Sequence, residues 1–82
     1  MSRFQKALAR LKNRPSDFTW HELQTVMDQL GYEEIKGGGS RRKFINVKTK
    51  VSIHLHEPHP QPTLKIYAID IVLDHLKEEG LL

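Results

Sequence analysis

Residues 41–56 read Arg-Arg-Lys-Phe-Ile-Asn-Val, then Lys-Thr-Lys, then Val-Ser-Ile-His-Leu-His. Two runs rich in β-branched and aromatic residues, split by a short polar turn, specify an antiparallel hairpin. A hairpin with one apolar face is marginally stable alone, so this segment dictates that other elements must cover it. The chain has 82 residues to do so, enough for one domain.

Three apolar stripes can supply the cover. Phe4, Ala7, Leu8 and Leu11 fall at helical spacing over residues 2–13, and Asn13-Arg14-Pro15 ends that helix. Thr19-Trp20-His21-Glu22 has the form of a capping box and opens a second helix. Its stripe is Trp20, Leu23, Val26, Met27 and Leu30, and Gly31 is the expected left-handed terminator. Leu64, Tyr67, Ala68, Ile71, Val72 and Leu76 place a last helix from about Thr63 to Gly80. Residues 32–36 form a further short strand, and Gly37-Gly38-Gly39-Ser40 turns the chain into the hairpin. Pro58, Pro60 and Pro62 force an extended loop after it. The expected fold is α+β: helix, helix, three antiparallel strands and helix, with the helices on one face of the sheet.

A turn at residues 48–50 predicts the pairs Val47–Val51, Asn46–Ser52, Ile45–Ile53, Phe44–His54, Lys43–Leu55 and Arg42–His56. Ile45, Val47, Val51, Ile53 and Leu55 then share the core face. Arg42, Phe44, Asn46, Ser52, His54 and His56 share the other. That register separates apolar from polar side chains, which is what fixes a register. Imidazole can move a proton near neutral pH, and guanidinium can hold a phosphate by two hydrogen bonds. The same histidines also suit the plain polar side of a half-exposed strand. A His-x-His pair can begin a metal site, but no full ligand set is evident even with Glu57 and His59 nearby, so no metal or other cofactor is expected. Gly37-Gly38-Gly39 lacks the Lys-Ser ending of a P-loop and reads as a turn. His21 and His75 read as surface or boundary residues of helices. Ser2, Ser16, Ser40 and Ser52 show no catalytic context.

Charge narrows the partner. The net charge is only +3, yet residues 1–14 and 36–50 contain eleven of the thirteen basic residues and no acid. Lys36, Arg41, Arg42, Lys43, Lys48 and Lys50 are the candidate phosphate-binding residues of the second segment. The absence of cysteine excludes a disulfide framework and a thiol nucleophile. No apolar run reaches the length of a membrane span, and the N-terminus does not have the form of a signal peptide. The expected location is the cytoplasm, with no membrane partner.

Several pieces in order resemble the HicA (YcfA-like) toxins of type II toxin–antitoxin systems. They are Leu30-Gly31-Tyr32 at a helix end, Gly38-Gly39-Ser40, a basic pair followed by Phe44, Pro58-His59, and Leu64-Lys65-Ile66-Tyr67 running to Gly80-Leu81-Leu82. The resemblance spans residues 19–82 and leaves residues 1–18 as an N-terminal helical extension and link. It implies a double-stranded-RNA-binding-domain-like α-β-β-β-α fold with an extra N-terminal helix. It also implies an mRNA-cleaving (mRNA interferase) or mRNA-binding activity and neutralisation by a HicB-type antitoxin; because no metal-ligand set is evident, an endoribonuclease here is expected to be metal-independent. The family motif is Gly-Ser-His, with the histidine taken as catalytic, whereas this chain has Arg41 there. Arginine stays protonated and cannot serve as the base. His59 matches a second family histidine, and His54 and His56 are additional. A relocated site of His54, His56 and Arg41 or Arg42 is the resulting expectation. The alternatives are an RNA-binding module that does not cut, or a protein-interaction subunit using the same basic face.

Overall fold

Capping boxes set where the first two helices begin. In the computed structural model, which describes residues 2–82, the Ser2 hydroxyl accepts from the Gln5 amide at 3.1 Å and opens α1 (Arg3–Lys12). The Thr19 hydroxyl accepts from the Glu22 amide at 3.2 Å, and the Glu22 carboxylate accepts from the Thr19 amide at 3.1 Å. This pair opens α2 (Trp20–Gln29), as its sequence predicts. Thr19→Ala is expected to cost about 1 kcal/mol and Thr19→Ser much less, read as a shift in the urea midpoint with an unchanged slope.

The first helix packs into the same core as the rest. Ala7, Leu11 and Phe18 are buried with Leu23, Val26 and Met27 of α2. Two arginines of this N-terminal region are committed to acids. Arg10 donates to Glu22 at 2.6 Å and to Asp17 at 3.0 Å. Arg14 donates to both oxygens of Asp70, at 2.6 and 3.0 Å. Those bonds hold the Asp70 carboxyl below its usual range. Partial burial pushes Glu22 upward, but Arg10 and the Thr19 amide outweigh it and leave that carboxyl lowered too. Part of the basic charge of residues 1–14 is therefore neutralised at home.

Three strands follow: β1 (Tyr32–Lys36), β2 (Arg41–Asn46) and β3 (Ser52–His56), antiparallel in the order β1-β2-β3. The hairpin register differs by one residue from the sequence expectation. The observed pairs are Arg41↔His56, Arg42↔Leu55, Lys43↔His54, Phe44↔Ile53 and Ile45↔Ser52. Phe44, Ile53 and Leu55 face the core, while Ile45, Val47 and Val51 do not lie in it. Asn46 causes the shift. Its side chain accepts from the amides of Lys48 and Thr49 at 2.9 and 3.0 Å, forming an Asx turn. The loop then closes on Asn46 and Val51, with Lys50 in the left-handed region at φ 66°. One additional loop residue turns β2 over relative to β3.

The last helix also begins later than expected. Thr63 forms an isolated bridge with Thr19, and the Leu64 amide donates to the Phe18 carbonyl at 2.8 Å. α3 therefore runs Ile66–Glu78. Ala68, Ile69, Val72, Leu73 and Leu76 are its buried stripe. The Tyr32 hydroxyl lies 2.7 Å from His75 Nε2 and ties β1 to α3. The result is the α-β-β-β-α order of double-stranded-RNA-binding-domain-like folds, with one helix added at the N-terminus. Helices cover one face of the sheet and leave the other bare. Among the described residues no helix is long and apolar enough to cross a membrane.

Candidate functional site

Strand alternation decides what the bare face carries. Arg41, Lys43 and Ile45 project there from β2, Ser52, His54 and His56 from β3, and Glu33 and Ile35 from β1. Cross-strand pairing sets Arg41 beside His56 and Lys43 beside His54. Two cations and two imidazoles thus form a square. A hollow of about 430 Å³ opens over it, lined by these four residues with Ile35, Gly37, Gly38, Arg42 and Leu55.

Of the expected site residues, the structure brings Arg41, His54 and His56 together. Arg42 goes elsewhere. The one-residue change in register turns it to the inner side, where its side chain is 14% exposed. It donates to Glu57 at 2.9 Å and lies 3.8 Å from Glu34. The expected Arg42–His56 neighbourhood is therefore replaced by Arg41–His56, and Phe44 and Asn46 leave that face with Arg42. Lys36 is exposed at the end of β1, and Lys48 and Lys50 are exposed in the Asn46–Val51 loop. At about 3.4 Å per strand residue, Lys48 lies roughly 20 Å along the chain from Arg41. The basic segment is thus spread over both ends of β2.

The glycine turn frames one side of the hollow. The Gly37 amide donates to the Arg41 carbonyl at 2.8 Å, and the Arg41 amide to the Gly38 carbonyl at 3.2 Å. Gly39 sits at φ +62°, and a Cβ on Gly37 would come within 3.3 Å of the Arg41 Cβ. The turn delivers Ser40, whose hydroxyl lies 3.1 Å from His56 Nδ1. Nothing in the local sequence announces that hydrogen bond, because sixteen residues separate the two. His59 is exposed in the proline-rich loop and lines an adjoining recess of about 370 Å³ with Ser40, Arg42 and Glu57.

A larger hollow of about 630 Å³ lies between α2 and β1. Asp28, Glu33 and Glu34 line it, without a single basic residue. Its charge repels a phosphate backbone, so the open sheet face is the better anion surface. Among the described residues, no group of three or more His, Cys, Asp or Glu side chains is placed to hold a metal ion.

The family model described as the HicA toxin of bacterial toxin–antitoxin systems matches residues 20–78. The chain belongs to the HicA toxin family. No curated protein and no solved structure matches it. The HicA match takes in α2, the whole sheet and α3, and so includes the square of cations and imidazoles. Helix α1 lies before the matched residues, although it packs against α2. As a HicA toxin, the protein has an antitoxin as its functional counterpart.

Proposed function

We propose that this HicA toxin is an endoribonuclease that binds and cuts mRNA on the open face of its sheet. A HicB-type antitoxin neutralises it by presenting carboxylates to the same face. The observation that carries this reading is the pairing Arg41↔His56 and Lys43↔His54 around one hollow. Arg41 and Lys43 hold the scissile phosphate and offset the charge that builds on its oxygens. Lys36, Lys48 and Lys50 extend the positive field along the RNA. One imidazole takes the proton of the attacking hydroxyl, from the ribose or from water. The phosphorus–oxygen bond to the leaving 5′ oxygen then breaks, and the second imidazole gives that oxygen a proton. His54 and His56 lie two strand residues apart, roughly 7 Å between Cα atoms, so their rings can reach the two sides of one phosphate.

A second reading is RNA binding without cleavage. It is favoured by Arg41 at the position of the usual family histidine.

The test uses purified protein, single-stranded RNA and a salt series, with cleavage followed in the same samples. The double change Arg41→Ala/Lys43→Ala is expected to weaken binding to every RNA sequence. It should reduce the log–log salt slope by about 0.7 for each single-strand phosphate that the variant no longer neutralises. A slope equal to wild type would put the RNA on another surface. Wild-type binding without any cut product would favour the second reading.

A further inference from the structure

The hydrogen bond between Ser40 and His56 is held from both ends. The Glu57 amide, next to His56 in the chain, donates to the Ser40 carbonyl at 2.8 Å. Gly37 and Arg41 close the turn on the other side at 2.8 Å. Ser40 immediately precedes Arg41, whose strand partner is His56. Backbone bonds therefore fix the serine against the imidazole, and its Oγ meets Nδ1 at 3.1 Å. Among the described residues Nε2 of His56 makes no hydrogen bond, so it is the ring nitrogen left open to a ligand. His54 has no comparable anchor among the described residues.

The chemistry of a hydroxyl suits a ring that must change state. A neutral imidazole has one donor and one acceptor nitrogen. When Nε2 is to take a proton, Nδ1 carries the hydrogen and donates it to Ser40 Oγ. When a neutral ring carries its hydrogen on Nε2, the Ser40 hydroxyl donates to Nδ1. A carboxylate in the same place could only accept, and so would favour one of these states. The charged groups around the ring are Arg41 across the strand pair, Lys43 on the same face, and Glu57, which Arg42 already engages. None of them bonds to the ring.

We infer that Ser40 is a positioning residue for His56: it fixes Nδ1, orients the ring toward the hollow, and assigns proton transfer to Nε2. This inference rests on the ribonuclease reading, within which it singles out His56 over His54 as the anchored proton carrier. The proton itself travels between Nε2 and the RNA oxygen, and Ser40 gains or loses none over the cycle.

The experiment compares wild type, Ser40→Ala, Ser40→Thr, His56→Ala and the double change Ser40→Ala/His56→Ala. Two readouts are taken: ¹⁵N shifts of the histidine rings without RNA, and single-turnover cleavage with saturating RNA. Ser40→Ala keeps the carbonyl that binds the Glu57 amide, so the turn should persist. The expected result is a change in the His56 ring shifts and a rate lower by about five- to tenfold, the usual worth of one hydrogen bond. Ser40→Thr should restore both. Ser40→Ala should have no further effect once His56 is alanine. Unchanged ring shifts and an unchanged rate in Ser40→Ala would overturn the positioning role while leaving the ribonuclease reading intact. Wild-type protein that cuts no RNA would overturn the ribonuclease reading, and with it any proton transfer at Nε2. The ring shifts would then decide by themselves whether Ser40 holds His56.

Discussion

His56→Ala should slow RNA cleavage by about 10²- to 10⁴-fold, the usual contribution of one general acid or base, while RNA affinity moves only a few-fold. The position is exposed on the bare sheet face, beside Arg41 and Ser40. Such substitutions normally change stability by no more than about 0.5 kcal/mol, so lost activity in a protein with a wild-type melting temperature reports on chemistry. His54→Ala should also slow cleavage, because its ring occupies the other imidazole corner, opposite Lys43. Single-turnover rates with saturating RNA separate the chemical step from binding. If His54→Ala, His56→Ala and the double variant all cut at the wild-type rate, both histidines are simply the polar side of a strand. His59, in the recess next to Ser40, then becomes the residue to test.

The second large effect is on stability, and it tests the register. Phe44 is 2% exposed, and its ring lies 5.5 Å from that of Trp20. Phe44→Ala should cost about 3–5 kcal/mol from lost transfer energy and the cavity left behind. A domain of this length has a total stability of roughly 4–12 kcal/mol, so much of it would go. Ile45 is only half-buried, on the opposite face, and Ile45→Ala should cost about 1 kcal/mol. Urea unfolding of the two variants gives the ranking directly. The reverse order, with Ile45 the costlier position, would restore the pairing of Ile45 with Ile53.

Those two neighbours show where the sequence stops being legible. Phe44 and Ile45 are both apolar, so alternation alone can seat either of them in the core. Putting Ile45 inside aligns it with Val47 and Val51 and gives the tidier separation of faces. Yet Val47 and Val51 are 49% and 37% exposed at the hairpin end. The deciding residue is Asn46, whose side chain can bind amides two and three residues ahead and so enlarge the loop. The helices are easier to read. Their periods extend over several turns, and Thr19-x-x-Glu22 and Gly31 mark the ends of α2 through local bonds that need no tertiary knowledge. The start of α3 is not legible, because Thr63 and Leu64 pair with Phe18 and Thr19, more than forty residues earlier.

The site is half legible for the same reason. His54 and His56 share a face in any register, since a strand alternates. Which arginine joins them depends on pairing, and the structure selects Arg41. Arg10, Arg14 and Arg42 all contribute to the positive segments on paper. Their acids, Glu22, Asp17, Asp70 and Glu57, lie seven to fifty-six residues away and meet them only after folding. Ser40 gives no signal either, because its significance lies in a partner on another strand.

The one-sided sheet has a consequence for how such a toxin can change over generations. Tyr32, Phe44, Ile53 and Leu55 carry the core, and every residue that alternates with them points away from it. Side chains on the bare face can therefore be exchanged with little penalty to folding. Cross-strand partners have Cβ atoms only about 4.5–5.5 Å apart. Side chains at positions 41 and 56, which are such partners, thus stand above nearly the same point of the surface. Reactive groups can migrate between strands of this architecture by single substitutions that the folded state barely registers.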